Sequence, residues 1–327
     1  MVLFSLAFEG DMEASSYPAL AKRVERYPFY SMQIYEHLPH RPAWPLVFHT
    51  ASYTRRIRIG PVTVPVFLHD PLTLARNLGT LGEITGGRAL LGVSRGAYSE
   101  YMPGPVNRTI QSVLEAIQCI DAILNGRGYR GDTFSFPQER RLGWLRRHGA
   151  EIYVGTSGPK MASRASRLEA VRGIVVDNLW DPKYARTMRA VIDDSANQSK
   201  RESRVELIAR PFTLVAKNRA ESEKRMLPIL SRYLPELVGD SPMLANAGLT
   251  PEALLALSRN PPKAPPAFLH SFAALGTPDD VIEQTAQMLA AGVDQVCFGY
   301  PLGPDLPAAI RLLGENVIPH FPRSQGA

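Results

Sequence analysis

The chain of 327 residues contains little cysteine and no long apolar segment. Its two cysteines, Cys119 and Cys297, are too few for a disulfide framework and lack neighbours spaced like metal ligands. We expect both to be reduced core residues of a cytoplasmic protein. No apolar run approaches the roughly 20 residues that a membrane-spanning helix needs, so no membrane partner is expected. The N-terminus begins with a predicted strand and lacks a basic region, which predicts that there is no signal peptide.

Composition limits the partners further. Apolar residues make up 45% of the chain and charged residues 21%, as is typical of a soluble globular protein. The net charge of +6 suits an anionic ligand without identifying one. Basic residues are scattered rather than interleaved with aromatic residues on one helix, so we expect no nucleic-acid partner. The densest basic cluster, Arg140-Arg141 and Arg146-Arg147, is predicted to be a solvated loop.

Strand-like and helix-like segments alternate along the whole chain. Apolar residues recur on one helical face in segments such as 109–124. Eight alternations in a chain of this length predict an α/β fold, a (β/α)8 TIM barrel. We predict a single domain over residues 1–327, with a proline-rich insertion from about residue 235 to 266 that carries a short helix at 251–257. The predicted strands span residues 2–8, 29–35, 57–64, 89–93, 151–155, 173–177, 205–215 and 294–298.

The helix at 71–85 has clear end signals. Asp70 suits the N-cap position, and Pro71 suits the first turn, where its missing N–H does no harm. Gly86-Gly87 is predicted to end the helix. The apolar segment that follows is short enough for a strand that is buried on both faces.

Chemistry in such a barrel belongs at the carboxyl ends of the strands. That rule selects a small set of polar residues and glycines as candidates. They are Glu36, His37, Pro61, Val62, Thr63, His69, Ser94, Arg95, Gly96, Tyr98, Gly155, Thr156, Ser157, Gly158, Asp177 and Asn178.

The loop after the fifth strand is a candidate anion site. Gly155-Thr156-Ser157-Gly158 offers flexible backbone and two hydroxyl groups, and a predicted helix begins at Pro159. Free amides at a helix N-terminus attract phosphate. The alternative is an ordinary capped helix start, with Ser157 as the N-cap.

Two arginines add positive charge nearby. Arg95 directly follows a buried strand, where an arginine is costly unless an anion meets it. Its planar fork suits bidentate contact with phosphate. Arg108, at the start of the next predicted helix, could bind the same anion or form a surface salt bridge instead.

His37 is the candidate acid or base. It follows the second predicted strand, and the pKa of an imidazole permits proton transfer near neutrality. The alternative is a hydrogen-bonded structural histidine. Glu36 is predicted to orient His37 or an arginine. The remaining histidines show no pairing at metal-ligand spacing, so no metal site is predicted; they include His40, His49, His148, His270 and His320.

The stretch from residue 55 to 98 resembles the luciferase-like flavin- and F420-dependent oxidoreductases. The resemblance lies in RIRIGPVTVP, in the His69-Asp70-Pro71 element and in TLGEITGGRALLGVSRGAY. It continues at lower density through Gly276-Thr277-Pro278-Asp279-Asp280-Val281 and Ala291-Gly292-Val293-Asp294, so it covers most of the chain.

The resemblance implies roles for several residues. In the bacterial-luciferase branch, an element matching Arg95-Gly96-Ala97-Tyr98, with an arginine matching Arg108, holds the flavin phosphate. A non-prolyl cis peptide in the third strand supports the flavin ring, and the matching bond here is Pro61–Val62, next to Thr63. An acid–histidine pair of the F420-dependent sugar-phosphate dehydrogenases matches Glu36-His37. Their further glutamate is Ala97 here, so a sugar phosphate is not the expected substrate.

The implied function is hydride transfer between F420 and a small organic substrate, with FMN as the alternative cofactor. GPVTVP and GGRALLG resemble F420-dependent reductases of the methylenetetrahydromethanopterin type, whereas RGAY resembles FMN-dependent monooxygenases. The resemblance also implies a homodimer and an insertion that walls the pocket. Other functions left open are a luciferase-like monooxygenase, a phosphate-binding barrel lyase or isomerase, and a non-catalytic flavin-binding relative.

Overall fold

Short parallel strands alternate with helices, in the order that the sequence predicts. The computed structural model describes residues 2–237, 242–259 and 266–322. Its strands are β1 (Leu3–Phe8), β2 (Ser31–Ile34), β3 (Arg58–Pro61), β4 (Val64–Pro65), β5 (Leu90–Ser94), β6 (Tyr129–Arg130), β7 (Ser135–Phe136), β8 (Glu151–Gly155), β9 (Val171–Asp177), β10 (Glu206–Arg210), β11 (Phe212–Val215), β12 (Ala273–Gly276) and β13 (Gln295–Leu302).

The helices are α1 (Ser16–Val24), α2 (Ala43–Ala51), α3 (Pro71–Thr85), α4 (Ile110–Leu124), α5 (Pro159–Ala165), α6 (Pro182–Gln198), α7 (Arg219–Leu237), α8 (Pro242–Asn246), α9 (Pro251–Arg259), α10 (Pro266–Phe272), α11 (Pro278–Ala290) and α12 (Leu306–Leu312). None of the helices in the described ranges has the length and apolar character needed to cross a membrane.

The sheet closes into a barrel. Its strands pair in the order β3-β2-β1-β13-β10-β9-β8-β5-β4, and these neighbours are parallel. Because β3 and β4 are consecutive pieces of the segment 58–65, the two ends of this order meet. The TIM-barrel prediction is therefore confirmed. The single-domain boundary, 1–327, stays a prediction.

Side-chain alternation along the strands separates two apolar clusters. Outward-facing residues such as Leu6 and Leu91 join helix residues such as Leu78 and Ile117 in the large cluster. The smaller cluster fills the barrel interior and includes Ala7, Val62, Leu90, Tyr153, Val175, Ile208 and Cys297. Both cysteines are free and buried, as expected.

Local signals explain the ends of α3. The Asp70 side chain accepts a hydrogen bond from the Thr73 amide at 3.0 Å, and Pro71 opens the first turn. Gly86 ends the helix in the left-handed conformation, with a φ of 62°, which glycine adopts without a steric penalty. The end signals predicted from the sequence are confirmed here.

Three predictions of local structure are wrong. The predicted strand 205–215 divides at Pro211, which cannot donate to a ladder, and β11 pairs with β12 and β13 instead. The strand β12 is absent from the sequence prediction, because its four residues follow a helix without a turn signal. A small antiparallel hairpin, β6–β7, lies within the segment 125–149 that is predicted to be irregular.

The predicted insertion at about 235–266 lies partly outside the described residues, since 238–241 and 260–265 are not described. Within its described part are α8 and α9. The predicted short helix at 251–257 corresponds to α9, Pro251–Arg259.

A polar network closes the amino-terminal end of the barrel. Tyr30 donates to both carboxylate oxygens of Glu151, at 2.9 and 2.7 Å, and Tyr153 donates to the same carboxylate at 2.7 Å. Arg58 lies 3.4 Å from Glu151, and Arg172 forms an ion pair with Glu206. These contacts satisfy both oxygens of Glu151, whereas Oε2 of Glu206 is buried without a hydrogen-bond partner among the described residues.

Candidate active site

A cavity of about 590 Å³ lies at the carboxyl ends of the strands. Most strands of the barrel contribute to its wall, from Glu9 after β1 to Tyr300 in β13. The described part of the insertion half contributes Pro242 and Met243 from α8, which confirms that it walls the pocket. Most of the predicted site residues line this cavity: Glu36, His37, Thr63, Ser94, Arg95, Gly96, Arg108, Gly155, Thr156, Ser157, Gly158, Asp177 and Asn178.

Four predicted residues lie elsewhere. Pro61 is the last residue of β3, and the Val62 side chain packs inside the barrel below the cavity. Tyr98 is not among the described residues that line the cavity but contacts His37, with ring centroids 5.2 Å apart in an edge-on arrangement. His69 lines a different pocket of about 500 Å³.

The non-prolyl cis peptide lies between Val62 and Thr63, so the prediction of Pro61–Val62 is wrong by one residue. Pro61 still pairs with Ile34, and the Val62 amide still donates to the Ile34 carbonyl at 3.1 Å. The chain therefore leaves the β2 ladder only after Val62. Thr63 then enters the cavity beside Gly155, where a Cβ atom would come within 2.5 Å of the Thr63 methyl group.

Arg95 and Arg108 form one corner of the cavity. Arg95 Nε donates to the Arg108 carbonyl at 2.7 Å, and Arg108 Nε donates to the Arg95 carbonyl at 3.3 Å. Arg108 also contacts the Ser99 hydroxyl at 2.9 Å and the Gly96 carbonyl. These acceptors are neutral oxygens, so they orient the Arg108 guanidinium without cancelling its charge. The surface-salt-bridge alternative for Arg108 does not describe these contacts.

The loop after β8 forms a second side of the cavity. Thr156 Oγ1 accepts a hydrogen bond from the Gly158 amide at 3.0 Å, and Tyr184 donates to the Ser157 carbonyl at 2.6 Å. Gly158, rather than Ser157, immediately precedes α5, so the interpretation of Ser157 as the N-cap is wrong. The loop is thus fixed by its own contacts and presents backbone and hydroxyl groups to the cavity.

Glu36 lines the cavity, but its carboxylate has a structural partner. Oε2 accepts a hydrogen bond from the Ala43 amide at 2.9 Å, at the start of α2. Burial raises the pKa of Glu36. Its contact with α2 replaces the predicted contact with His37 or an arginine.

Glu9 is one of the cavity residues that sequence reasoning missed, together with Tyr35 and Arg210. It directly follows β1 and is 3% exposed. Its Oε1 accepts a hydrogen bond from the Tyr233 hydroxyl at 2.7 Å and lies 3.7 Å from His37 Nδ1. Its Oε2 lies 3.3 Å from His40 Nδ1. The available signal was its position at a strand end, the same rule that selected Glu36.

His37 lies between Glu9 and the rings of Tyr35 and Tyr98. Its ring stacks on Tyr35, with centroids 5.4 Å apart and planes 15° apart. Burial of the ring, together with nearby His40, lowers the pKa of His37 to about 4. The imidazole is therefore neutral at physiological pH and able to accept a proton.

Three side chains could hold a metal ion. Glu9, His37 and His40 place one ligand atom each within 4.8 Å of one another. The prediction that His40 has no partner at metal-ligand spacing is wrong, because the tight turn from His37 to His40 brings both rings to the carboxylate after β1. The same geometry serves equally for proton exchange between Glu9 and an imidazole.

Comparison with known proteins identifies the family. The model for luciferase-like monooxygenases matches residues 4–295. The chain belongs to the luciferase-like monooxygenase family. This confirms the resemblance drawn from the sequence, and the matched segment contains the strands from β2 to β12, all but the first residue of β1, and the cavity residues up to Met243.

Several known proteins are similar to this chain over nearly its full length. The 5,10-methylenetetrahydromethanopterin reductase of Archaeoglobus fulgidus is 29% identical, over 97% of this chain and 98% of its own. The structure of the coenzyme F420 dependent tetrahydromethanopterin reductase from Methanopyrus kandleri has a TM-score of 0.84 at 22% identity, covering 98% of this chain and 99% of that chain. An F420-dependent secondary alcohol dehydrogenase, in complex with an F420-acetone adduct, has a TM-score of 0.80 at 15% identity, covering 98% and 100%. At these identities, the two structures establish the shared fold.

Proposed function

We propose that this chain is an oxidoreductase that transfers a hydride between F420 and a small organic substrate, with FMN as the alternative cofactor. The observation that carries this proposal is that a single cavity is lined by Arg95 and Arg108, which suit an anion, and by Glu9 and His37, which suit proton exchange. The M. kandleri reductase and the secondary alcohol dehydrogenase, whose structures are both described as F420-dependent, support the choice of F420.

The cavity residues fit a planar cofactor that carries a phosphate. The volume of the cavity lies within the usual range of small-molecule sites. Arg108 presents a charge that its neutral contacts leave in place, and a guanidinium suits phosphate oxygens. Gly155 keeps space free beside Thr63, where a larger residue would collide. Arg95, Arg108 and the loop 155–158 would hold the phosphate, and Thr63 would support the ring.

When bound, F420 or FMN would supply the ring atom that gives or accepts the hydride. The protein must then provide or remove the accompanying proton at the substrate. His37 is neutral and its Nδ1 lies 3.7 Å from Glu9 Oε1, so the two side chains are placed to hold or move a proton beside the substrate. A positioned histidine typically contributes ~10²–10⁴-fold to such a step.

A second candidate function is an FMN-dependent luciferase-like monooxygenase. The Arg95-Gly96-Ala97-Tyr98 element favours it, since this element and Arg108 resemble the flavin-phosphate site of the bacterial-luciferase branch. A barrel lyase or isomerase would share the anion site but not the hydride chemistry. Lys160, the lysine nearest to such a role, lies in α5 at the cavity wall.

The test is a panel of carbonyl, imine and alkene substrates with reduced F420 or reduced FMN. We expect cofactor oxidation that depends on substrate and proceeds without oxygen. A requirement for oxygen with FMN would instead favour the monooxygenase. Turnover of a phosphorylated substrate without any cofactor would favour the lyase or isomerase, and binding without turnover would favour a non-catalytic relative.

We also propose a cytoplasmic location and a homodimer. The two free, buried cysteines are consistent with a reducing compartment. The dimer rests on the family resemblance alone. Sedimentation equilibrium at micromolar concentration tests it, with twice the 36.1 kDa chain mass as the expected result and a single chain mass as the contrary one.

A further inference from the structure

A fully buried arginine lies at the floor of the cavity. Arg210 ends β10, and 2% of it is exposed, yet it lines the cavity. Burying a charge is costly unless paired hydrogen bonds compensate it. The partners of Arg210 therefore explain how a buried arginine is tolerated there.

All three nitrogen atoms of the Arg210 guanidinium group donate hydrogen bonds. Nε and Nη2 donate to the two carboxylate oxygens of Asp177, the latter at 2.8 Å. Nη1 donates to the Val62 carbonyl and to Gln33 Oε1, the latter at 3.3 Å. Three separate strands, β2, β9 and the β3–β4 segment, are thus tied to β10 by one side chain. A lysine could not reproduce this planar, bidentate arrangement.

Two of these contacts lead directly to site residues. The Val62 carbonyl belongs to the peptide that joins Val62 to Thr63, which lines the cavity. The guanidinium carbon also lies 4.6 Å from the centroid of the Tyr35 ring, whose plane stacks on His37. Arg210 therefore contacts the support of Thr63 on one side and the support of His37 on the other.

A second buried arginine offers a comparison within the same chain. Arg189 in α6 is 8% exposed and donates to the Val205 carbonyl and to Asp294, both at 3.0 Å, besides pairing with Asp193. It is not among the residues that line the described cavity. Arg189 ties a helix to two strand starts, so it serves packing alone and provides a matched control.

We propose that Arg210 is a positioning residue for the active site. It fixes the Val62–Thr63 peptide and holds Tyr35 so that the Tyr35 ring keeps His37 facing Glu9. This inference rests on the proposed function for its effect on turnover, but its effect on His37 can be measured without any cofactor.

The first experiment observes the His37 ring directly. Protein labelled in the histidine rings is compared as wild type, Arg210→Lys and Arg189→Lys by nuclear magnetic resonance, and the His37 signal is assigned by its loss in His37→Ala. We expect the His37 signal to shift in Arg210→Lys and to stay in place in Arg189→Lys. An unchanged His37 signal in Arg210→Lys overturns the inference.

Tyr35 variants keep the inference testable should Arg210→Lys fail to fold. Tyr35→Phe retains the ring between Arg210 and His37, whereas Tyr35→Leu removes it. We expect the wild-type position of the His37 signal in Tyr35→Phe and a shifted signal in Tyr35→Leu. Equal signals in the two variants contradict the proposed path through the ring.

The second experiment measures turnover with the cofactor that the wild type uses. We expect Arg210→Lys to lower kcat by roughly 10- to 100-fold, the scale of a small misplacement of reacting groups, with KM changed only a few-fold. In the background of His37→Ala, Arg210→Lys should lower kcat by a smaller factor, because the two residues act as one unit. A kcat equal to that of Arg189→Lys overturns the inference. Absence of any cofactor turnover in the wild type contradicts the proposed function instead, while the His37 signal still decides the role of Arg210.

Discussion

Both ends of the barrel bury charged side chains, but at one end they pack against each other and at the other they border a cavity. At the amino-terminal end, Glu151 and Glu206 are held by tyrosines and arginines that fill the space between the strand starts. At the carboxyl-terminal end, Glu9, His37 and Arg210 border a cavity of about 590 Å³. Burial of charge alone therefore does not identify a site, whereas burial of charge beside accessible space does.

The pKa values sharpen this difference. Burial raises the pKa of Glu206 to about 7, although Arg172 opposes the rise. Burial lowers the pKa of His37 to about 4. The first shift belongs to a carboxyl group that is enclosed between the strand starts and pairs with Arg172. The second leaves a neutral base that faces the cavity.

The largest expected effect falls at the carboxyl-terminal end. His37→Ala should lower turnover by at least ~10²-fold while cofactor affinity stays within a few-fold, because the ring moves a proton rather than binding the cofactor. Steady-state kinetics and a cofactor titration on the same preparation measure both. The control is His320→Ala, at an exposed position far along the chain, which should behave as wild type. Wild-type turnover in His37→Ala would mean that His37 is structural.

The next effect concerns cofactor affinity at the arginine corner. Arg95→Ala should weaken binding by roughly 1.5–3 kcal/mol, the scale of a charge-assisted hydrogen bond. Arg108→Ala should weaken it less, since Arg95 directly follows the buried strand β5. Calorimetric titration of both variants tests this order. Affinities equal to wild type in both would remove the phosphate assignment.

At the amino-terminal end, the expected effect is on stability and not on turnover. The pKa of Glu206 is higher in the folded chain, about 7, than the usual carboxyl value of 4.5. Its contribution to stability is thus fully present below about pH 4.5 and is lost as the pH rises through 7. Glu206→Gln removes this loss, so its free energy of unfolding should increase relative to that of wild type by about 2.5 kcal/mol between pH 5 and 8.

Denaturant unfolding at several pH values measures the effect of Glu206→Gln, and Glu283→Gln on the outer helix α11 is the control. Turnover of Glu206→Gln should stay within twofold of wild type. A large loss of turnover would break the distinction between the two ends of the barrel.

Much of the fold follows from local sequence signals. Strands that are buried on both faces produce apolar runs, and Asp70, Pro71 and Gly86 mark the ends of α3 without any tertiary information. The strand-end rule then found His37, Thr63, Arg95 and the loop 155–158, because parallel strands bring their carboxyl ends together.

The missed features depend on contacts between distant residues. Glu9 becomes a site residue through Tyr233, which lies 224 positions away. Arg210 is tolerated inside the barrel because Asp177, 33 positions earlier, pairs with it. The cis peptide was placed one residue early, because the ladder contact between Val62 and Ile34 is not visible in the sequence. Neither composition nor periodicity reports such pairings.

Calorimetric titration of purified wild-type protein with F420, and separately with FMN, tests the central claim most directly. The claim is that the carboxyl-terminal cavity binds a flavin-type cofactor. We expect one site per chain for at least one of the two cofactors, with micromolar or tighter affinity, and a matching rise in thermal stability. Absence of both heat and thermal shift with both cofactors would contradict the account.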